Sequence, residues 1–201
     1  MTKFILASKS PRRKEILEGL GLKFEIVTAD TDESCDKKDP SEYASELALR
    51  KGLAVFEEIK NGISDDTIII ASDTVVAAEG EILGKPRDKA DAKRMIELLS
   101  GKRHSVISGI ALVSKDIQIS DSEATGVIFD KVSEGDLDFY VSTDEPYDKA
   151  GAYAIQGFAS MWITGIEGDY FNVVGLPVKK LHDMLLKYFG INLAALIDPK
   201  V

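Results

Sequence analysis

The sequence predicts an α/β protein, in which a sheet of buried strands is covered by helices. The most strand-like stretch is residues 67–77, and its continuous apolar run, Ile68 to Ala71, is typical of a strand buried on both faces. Strand-like segments alternate with helical segments, and the helices begin at recognisable caps: Asp39 followed by Pro40, Asp88 and Ser133. This alternation indicates the α/β class.

The elements follow from apolar periodicity and from cap and turn residues. The pattern assigns strands to residues 3–8, 23–27, 67–77, 103–114, 117–129 and 158–163. It assigns helices to residues 10–19, 40–60, 89–100 and 134–141, and a last helix that opens at residues 175–177 and ends near Phe189. A hairpin turn is predicted at residues 79–81 and a loop at residues 166–172, and the tail, residues 191–201, has no assigned element.

Length and composition limit the function classes. The 201 residues fit one domain or two small lobes and are ample for an apolar core. A formal net charge of −9 disfavours binding to polymeric nucleic acid. The single cysteine excludes an internal disulfide, no signal-peptide pattern is visible, and the apolar runs fall short of the ~20 residues that span a bilayer. We therefore expect a cytoplasmic protein that does not cross a membrane.

The start of the first predicted helix has the composition of an anion site. Ser10 occupies the N-cap position and is followed by proline, while Arg12 and Arg13 fall in the first turn, where the helix dipole disfavours cations. Ser8 precedes them by a few residues. Two hydroxyls, two guanidinium groups and free helix N–H groups suit phosphate. The alternative is a solvated basic turn.

Two charged residues fall at positions that are normally buried. Lys51 lies four residues from both Leu47 and Val55 on the apolar stripe of the second helix, so it needs a partner or ligand unless it snorkels to the surface. Asp73 interrupts the apolar strand, where a carboxylate must be paired or bind a metal unless a bulge exposes it. The apolar flanks of Asp73 favour a functional role.

Three further segments are candidates for ligand contacts. The acidic loop at residues 30–34, which contains Glu33, is either a solvated turn or a carboxylate cluster for a divalent cation. Lys85 follows the hairpin and would bring an ammonium group back towards Asp73, although surface lysines are common. Gln156 lies in a segment of small residues and is either an ordinary loop glutamine or an amide that reads a base edge.

Taken together, four segments resemble signatures of the Maf family of nucleoside triphosphate pyrophosphatases, and the similarity spans nearly the whole chain. They are ASKSPRR at residues 7–13, ASDTVV at 71–76, GKP at 84–86 and IEGDYFNVVGLP at 166–177. The resemblance implies an elongated α/β fold, similar to that of the inosine-triphosphate pyrophosphatases, with a cleft between two lobes. It also implies a homodimer and hydrolysis of a nucleoside triphosphate to monophosphate and pyrophosphate with a divalent metal, Mg²⁺, Mn²⁺ or Co²⁺.

The resemblance assigns roles to the candidate residues. Arg12, Thr74 and Gln156 match the positions that mark the branch acting on dTTP and UTP, which leaves modified pyrimidine nucleotides as a further substrate class. Asp73 is expected to accept the proton of the attacking water or to bind the metal, with Glu33 as the second metal-site carboxylate. Phosphate-binding roles are expected for Ser8, Ser10, Arg12, Arg13, Lys51 and Lys85. The alternative function is a nucleotide-binding regulator of cell division and septum formation, with incidental hydrolysis.

Overall fold

The computed structural model describes residues 2–196, which form a mixed seven-stranded sheet flanked by helices. The strands are β1 (Lys3–Leu6), β2 (Phe24–Ile26), β3 (Thr67–Ala78), β4 (Glu81–Leu83), β5 (Arg103–Val113), β6 (Gln118–Phe129) and β7 (Ile163–Glu167). Their order is β2-β1-β3-β5-β6-β7, with β4 added beside β3. The predicted α/β class is therefore confirmed. Within the described residues, no helix is both long enough and apolar enough to cross a bilayer.

Six α-helices lie within the described residues: α1 (Pro11–Gly19), α2 (Pro40–Ile59), α3 (Lys89–Leu99), α4 (Glu134–Tyr140), α5 (Tyr170–Val174) and α6 (Val178–Phe189). Three of them begin at the side-chain caps that the sequence predicts. The Asp39 carboxylate accepts from two backbone N–H groups of α2, and Asp88 and Ser133 each accept one N–H at the start of α3 and α4.

Two apolar cores occupy the same face of the sheet at opposite ends of β3. At one end, Ile68 and Ile70 pack with buried residues of α1 and α6. At the other end, Val76 packs with buried residues of α3 and α4. All three positions are even-numbered, so their side chains share one face of the strand. We call the first end, with α1 and α6, the first lobe, and the other end, with α3 and α4, the second lobe.

A gap in strand pairing lies between the two lobes. β1 pairs in parallel with residues 67–70 of β3, and β4 pairs antiparallel with residues 76–78. In the part of the chain that the structure describes, residues 71–75 pair with β5 alone, so their other edge is open. The carboxyl end of β1 points into this gap, which brings the start of α1 close to Asp73.

The opposite face of the sheet is covered by α2, which approaches β5 unusually closely at Gly109. A Cβ atom added to Gly109 would lie 2.0 Å from the carbonyl oxygen of Ala44, so only glycine allows this contact. Gly109 is also the cross-strand partner of Asp73. Lys51 follows Ala44 by two helical turns on the same helix. The close contact therefore fixes the helix that carries Lys51 against the strand that carries Asp73.

Two assignments made from the sequence are wrong. The predicted strand at 158–163 is a 3₁₀ turn, Phe158–Trp162, and β7 begins only at Ile163. The carboxylate of Glu145 accepts the N–H of Phe158 at 2.8 Å and holds this turn from a distant position in the chain. The predicted loop at 166–172 contains the start of α5, which Asp169 caps through the N–H of Phe171.

The structure describes part of the tail that the sequence left without an element. Leu193–Ala195 form a 3₁₀ turn, and the Leu193 side chain is buried in the core of the first lobe. Met1 and residues 197–201 lie outside the described residues, so the assignment of the remaining tail stays open.

Replacing Gly109 by alanine should loosen α2. We expect Gly109→Ala to lower the free energy of unfolding by about 1–3 kcal/mol, because the added methyl group must displace the α2 backbone. The control is Gly135→Ala in α4, where an added Cβ meets no atom within 4 Å and alanine should be neutral or stabilising. Urea unfolding of both variants measures the difference, and equal stability of Gly109→Ala and the wild type would contradict the close contact.

Candidate active site

A cleft of about 600 Å³ lies between the two lobes, beside the open edge of β3. Each residue that the sequence marks as a site candidate lies on its wall: Ser8, Ser10, Arg12, Arg13, Glu33, Lys51, Asp73, Thr74, Lys85 and Gln156. The fold thus brings together side chains that are up to 148 positions apart in the chain. Neither histidine lines the cleft. His104 is buried, its Nε2 lies 2.7 Å from the Tyr153 hydroxyl, and burial lowers the pKa of His104 to about 4.

Arg13 is held rigidly at the base of the cleft. Its Nε donates to the Gly175 carbonyl at 2.8 Å, one terminal nitrogen donates to Ser8 Oγ at 3.2 Å, and the other donates to Thr74 Oγ1 at 3.1 Å. Burial lowers the pKa of Arg13, with Asp73 opposing that effect, but an arginine stays charged at neutral pH. A guanidinium carries five N–H donors, so two remain for a ligand.

The start of α1 is open rather than capped by a side chain. Ser10 occupies the N-cap position, as the sequence predicts, but its side chain makes no capping hydrogen bond. The Ser10 backbone N–H instead donates to Ser8 Oγ at 3.1 Å, which also accepts from Arg13. The first turn of α1 contains no acidic residue. Uncapped N–H groups and two arginines give this wall of the cleft a positive potential.

Lys51 joins the two carboxylates of the cleft. Its Nζ lies 2.5 Å from Asp73 Oδ1 and 2.8 Å from Glu33 Oε1. Burial disfavours the charged ammonium group, but the two carboxylates outweigh that effect and raise the pKa of Lys51. The hydrogen bond from Lys51 lowers the pKa of Glu33, and the charge of Lys85 adds to that effect. Lys51 therefore has the partners that its place on the apolar stripe requires.

The two carboxylates suit a divalent cation that arrives with a phosphate ligand. Among residues 2–196, no group of three Asp, Glu, His or Cys side chains could hold a metal ion by itself. Glu33 and Asp73 both contact the Lys51 ammonium group, which places the two carboxylates beside each other on the cleft wall. Mg²⁺ commonly takes one or two carboxylates and completes its coordination with water and substrate phosphates. The donor set fits that arrangement.

Sequence reasoning missed several buried polar groups under the cleft. Ser72 Oγ lies within hydrogen-bonding distance of the carbonyl oxygens of Gly109 and Gly175, and Ser108 and Asn172 are fully buried. Ser108 Oγ lies 2.8 Å from both Thr74 Oγ1 and the Asn172 carbonyl. The available signal was the occurrence of serines inside apolar strands, since buried hydroxyls need partners.

Gln156 is exposed on the cleft wall and makes no side-chain hydrogen bond with the other described residues. Its amide therefore keeps a donor and an acceptor for a ligand. Below it, Val76, Val106 and Tyr153 form an apolar part of the wall in the second lobe. The cleft thus combines a cationic region around Arg13 and Lys51 with an apolar region around Val76 and Val106, which matches a ligand that has a polyphosphate and a flat ring.

A mixed sheet with a cationic cleft that suits phosphate groups, placed between two lobes, is typical of a nucleotide-binding α/β protein. The profile of one family, described as Maf-like protein, matches residues 3–188. The chain belongs to this family.

Three relatives that match this chain over nearly its whole length share one name. The dTTP/UTP pyrophosphatase of Caldanaerobacter subterraneus subsp. tengcongensis is 48% identical over 94% of this chain and 91% of its own length. The dTTP/UTP pyrophosphatase of Alkaliphilus oremlandii is 46% identical over 96% of this chain and its full length. That of Bacillus anthracis is 46% identical over 96% of this chain and 98% of its length.

Removing the Lys51 ammonium group should raise the pKa of Glu33. In Lys51→Met the hydrogen bond that dominates this shift is lost. The control is Lys60→Met, which removes a lysine paired with Glu57 at the exposed end of α2. An NMR titration of the Glu33 carboxyl carbon gives the pKa in each variant. A pKa that stays the same in Lys51→Met would contradict the contact.

Proposed function

We propose that this protein is a nucleoside triphosphate pyrophosphatase that hydrolyses dTTP and UTP to the monophosphate and pyrophosphate. The observation that carries the proposal is the pair of carboxylates, Asp73 and Glu33, on a wall otherwise rich in cations. A protein that only binds a triphosphate gains nothing from carboxylates beside the phosphates unless a metal bridges them, because like charges repel. A hydrolase needs them to activate water and to share a cation. The names of the relatives support the same activity.

The first lobe would bind the triphosphate. Arg13 offers its two remaining N–H donors, and the open N–H groups of α1 lie beside it. Arg12, Lys51 and Lys85 add positive charge on the same cleft wall, and the Ser8 and Ser10 hydroxyls add polar contacts. Fixed donors of this kind neutralise the charge that develops on the leaving pyrophosphate and keep it aligned with the attacking water.

Asp73 would act as the base. Lys51 donates to its Oδ1, whereas Oδ2 accepts no hydrogen bond from the described residues and remains for a water molecule. As the water oxygen bonds to the α-phosphorus, its proton moves to Asp73 and the bond from the α-phosphorus to the bridging oxygen breaks. Pyrophosphate then leaves with the electrons of that bond. The Lys51 ammonium group keeps the Asp73 carboxylate oriented during this step.

A divalent cation belongs to the proposal, with Glu33 and Asp73 as its protein ligands. Bound with the nucleotide, Mg²⁺, Mn²⁺ or Co²⁺ would neutralise phosphate charge and lower the pKa of the attacking water. Asp73 would serve as ligand, as base, or as both in succession. The choice of metal, the cytoplasmic location, the homodimer and a role in septum formation stay predictions.

Neutralising Asp73 should abolish turnover and preserve nucleotide binding. We expect Asp73→Asn to lower kcat by about 10²–10⁴-fold, the usual contribution of a general base, because asparagine cannot take the proton. Pyrophosphate release from dTTP with Mg²⁺, Mn²⁺ and Co²⁺ measures turnover, and calorimetry measures dTTP affinity. Asp116→Asn, in the exposed turn between β5 and β6, is the matched control. Near-normal turnover in a folded Asp73→Asn protein would refute the assignment.

Gln156 should contribute to base selection. In Gln156→Ala we expect the ratio of kcat/KM for dTTP and UTP to that for a methylated purine triphosphate to fall about tenfold, the equivalent of one lost hydrogen-bonded contact. The control is Gln118→Ala, an exposed glutamine at the start of β6 and away from the cleft. An unchanged substrate preference would remove Gln156 from the specificity site.

A further inference from the structure

A line of hydroxyl groups connects the base of the cleft to the protein interior. It begins at Arg13, whose terminal nitrogen donates to Thr74 Oγ1 at 3.1 Å. Thr74 Oγ1 lies 2.8 Å from Ser108 Oγ, and Ser108 Oγ lies 2.8 Å from the carbonyl oxygen of Asn172. The line joins four segments that are far apart in sequence: α1, β3, β5 and α5.

The chemistry of the last member fixes the direction of every hydrogen bond in the line. A carbonyl oxygen only accepts, so the single hydroxyl proton of Ser108 must be donated to Asn172. Ser108 Oγ is then an acceptor towards Thr74, and the Thr74 hydroxyl must donate to it. Thr74 Oγ1 consequently accepts the hydrogen bond that the Arg13 N–H group donates. Every hydrogen bond in the line is therefore donated in the same direction, from Arg13 towards the Asn172 carbonyl.

The acceptor at the end of the line is itself held firmly. The Asn172 side-chain oxygen accepts the Ser108 N–H at 3.2 Å. Its amide nitrogen donates to the Val106 carbonyl and to Thr125 Oγ1, both at 3.0 Å. Asn172 and Ser108 have no measurable exposure. A fully satisfied, buried network of this kind has one arrangement, because any rotation leaves a buried polar group without a partner.

We infer that Ser108 and Asn172 are positioning residues that fix the Thr74 hydroxyl as an acceptor for Arg13, so that Thr74 acts on the phosphates through Arg13 and cannot donate a hydrogen bond to the base. This inference rests on the proposed function. The Thr74 proton is committed to Ser108, so Thr74 has no hydrogen to donate to a nucleobase. It could contact a base only as an acceptor, which would require the N3–H that dTTP and UTP carry and CTP lacks. Its accepted bond orients the guanidinium plane, and hence the two N–H donors that remain for phosphate.

A base contact and a positioning role predict different kinetics. If Thr74 positions Arg13, Thr74→Val and Ser108→Ala lower kcat/KM for dTTP, UTP and CTP by one common factor, about 10- to 100-fold for a displaced phosphate donor. Both variants also weaken the binding of inorganic pyrophosphate, which has no base. Thr74→Ser retains the hydroxyl and restores both properties. Ser105→Ala, on the opposite face of β5 and outside the cleft wall, is the matched control and leaves both unchanged.

A second comparison uses Arg13→Lys, which lacks the nitrogen that contacts Thr74. In that background Ser108→Ala should add little further loss, because the two changes break one chain of contacts. Additive losses in the double variant would overturn the inference. A changed ratio among dTTP, UTP and CTP in Thr74→Val, or unaltered pyrophosphate affinity there, would also overturn it.

The measurements separate this inference from the proposed function. Calorimetry with inorganic pyrophosphate needs no turnover, so weakened binding in Thr74→Val supports the positioning role even if wild-type protein releases no pyrophosphate from any nucleotide. That last result would refute the proposed function alone. Thermal unfolding of each variant identifies a folding defect in Ser108→Ala. Thr74→Val leaves the Ser108 to Asn172 bond in place and keeps the test decisive in that case.

Discussion

The contact between α2 and β5 at Gly109 is the constraint on which the site depends. Because Gly109 has no side chain, the Ala44 carbonyl reaches the sheet directly beside Asp73. The same helix then delivers Lys51 to that carboxylate two turns later. A larger residue at Gly109 would move the helix outward and separate the charged pair. A backbone contact between a helix and a strand thus sets the geometry of the charged groups.

The charge of the cleft wall is opposite in sign to the net charge of the protein. The chain carries a formal net charge of −9, yet the cleft wall has six Lys or Arg residues against four Asp or Glu residues. Exposed charges more than about 8–10 Å away are largely screened at physiological salt, whereas charges in the cleft are not. The acidic surface therefore discourages long polyanions, while a small nucleotide that enters the cleft meets a locally positive wall.

Much of the site could be predicted from the sequence, because its charged members break local rules. Arg13 lies in the first turn of a helix, where the helix dipole disfavours a cation. Lys51 lies on an apolar stripe, and Asp73 lies inside an apolar strand. Each conflict between local pattern and residue type marked a residue of the cleft wall. The α/β class followed from strand periodicity and caps, and the Asp39, Asp88 and Ser133 caps are present in the structure.

The buried polar residues that could not be predicted from the sequence do not conflict with the pattern of the residues around them. Ser108 and Asn172 are ordinary polar residues whose importance lies in partners 34 and 64 positions away. The sequence predicts a strand at residues 158–163, where the structure has a 3₁₀ turn, Phe158–Trp162, because no local pattern reveals the contact of this turn with Glu145. Ser10 is the N-cap residue of α1, as the sequence predicts, but the sequence does not reveal that its side chain leaves the N–H groups of the first turn uncapped.

The continuity of β3 and β5 through both lobes has a mechanical consequence. Proteins whose lobes are joined by a linker open and close around a hinge of a few residues. Here the connection is a hydrogen-bonded ribbon that runs from residues 69–77 of β3 alongside residues 105–113 of β5. The lobes can separate only if this ribbon bends or twists, so the width of the cleft is set by the curvature of the sheet. Such a cleft favours ligands that fit its existing width over ligands that require the lobes to move apart.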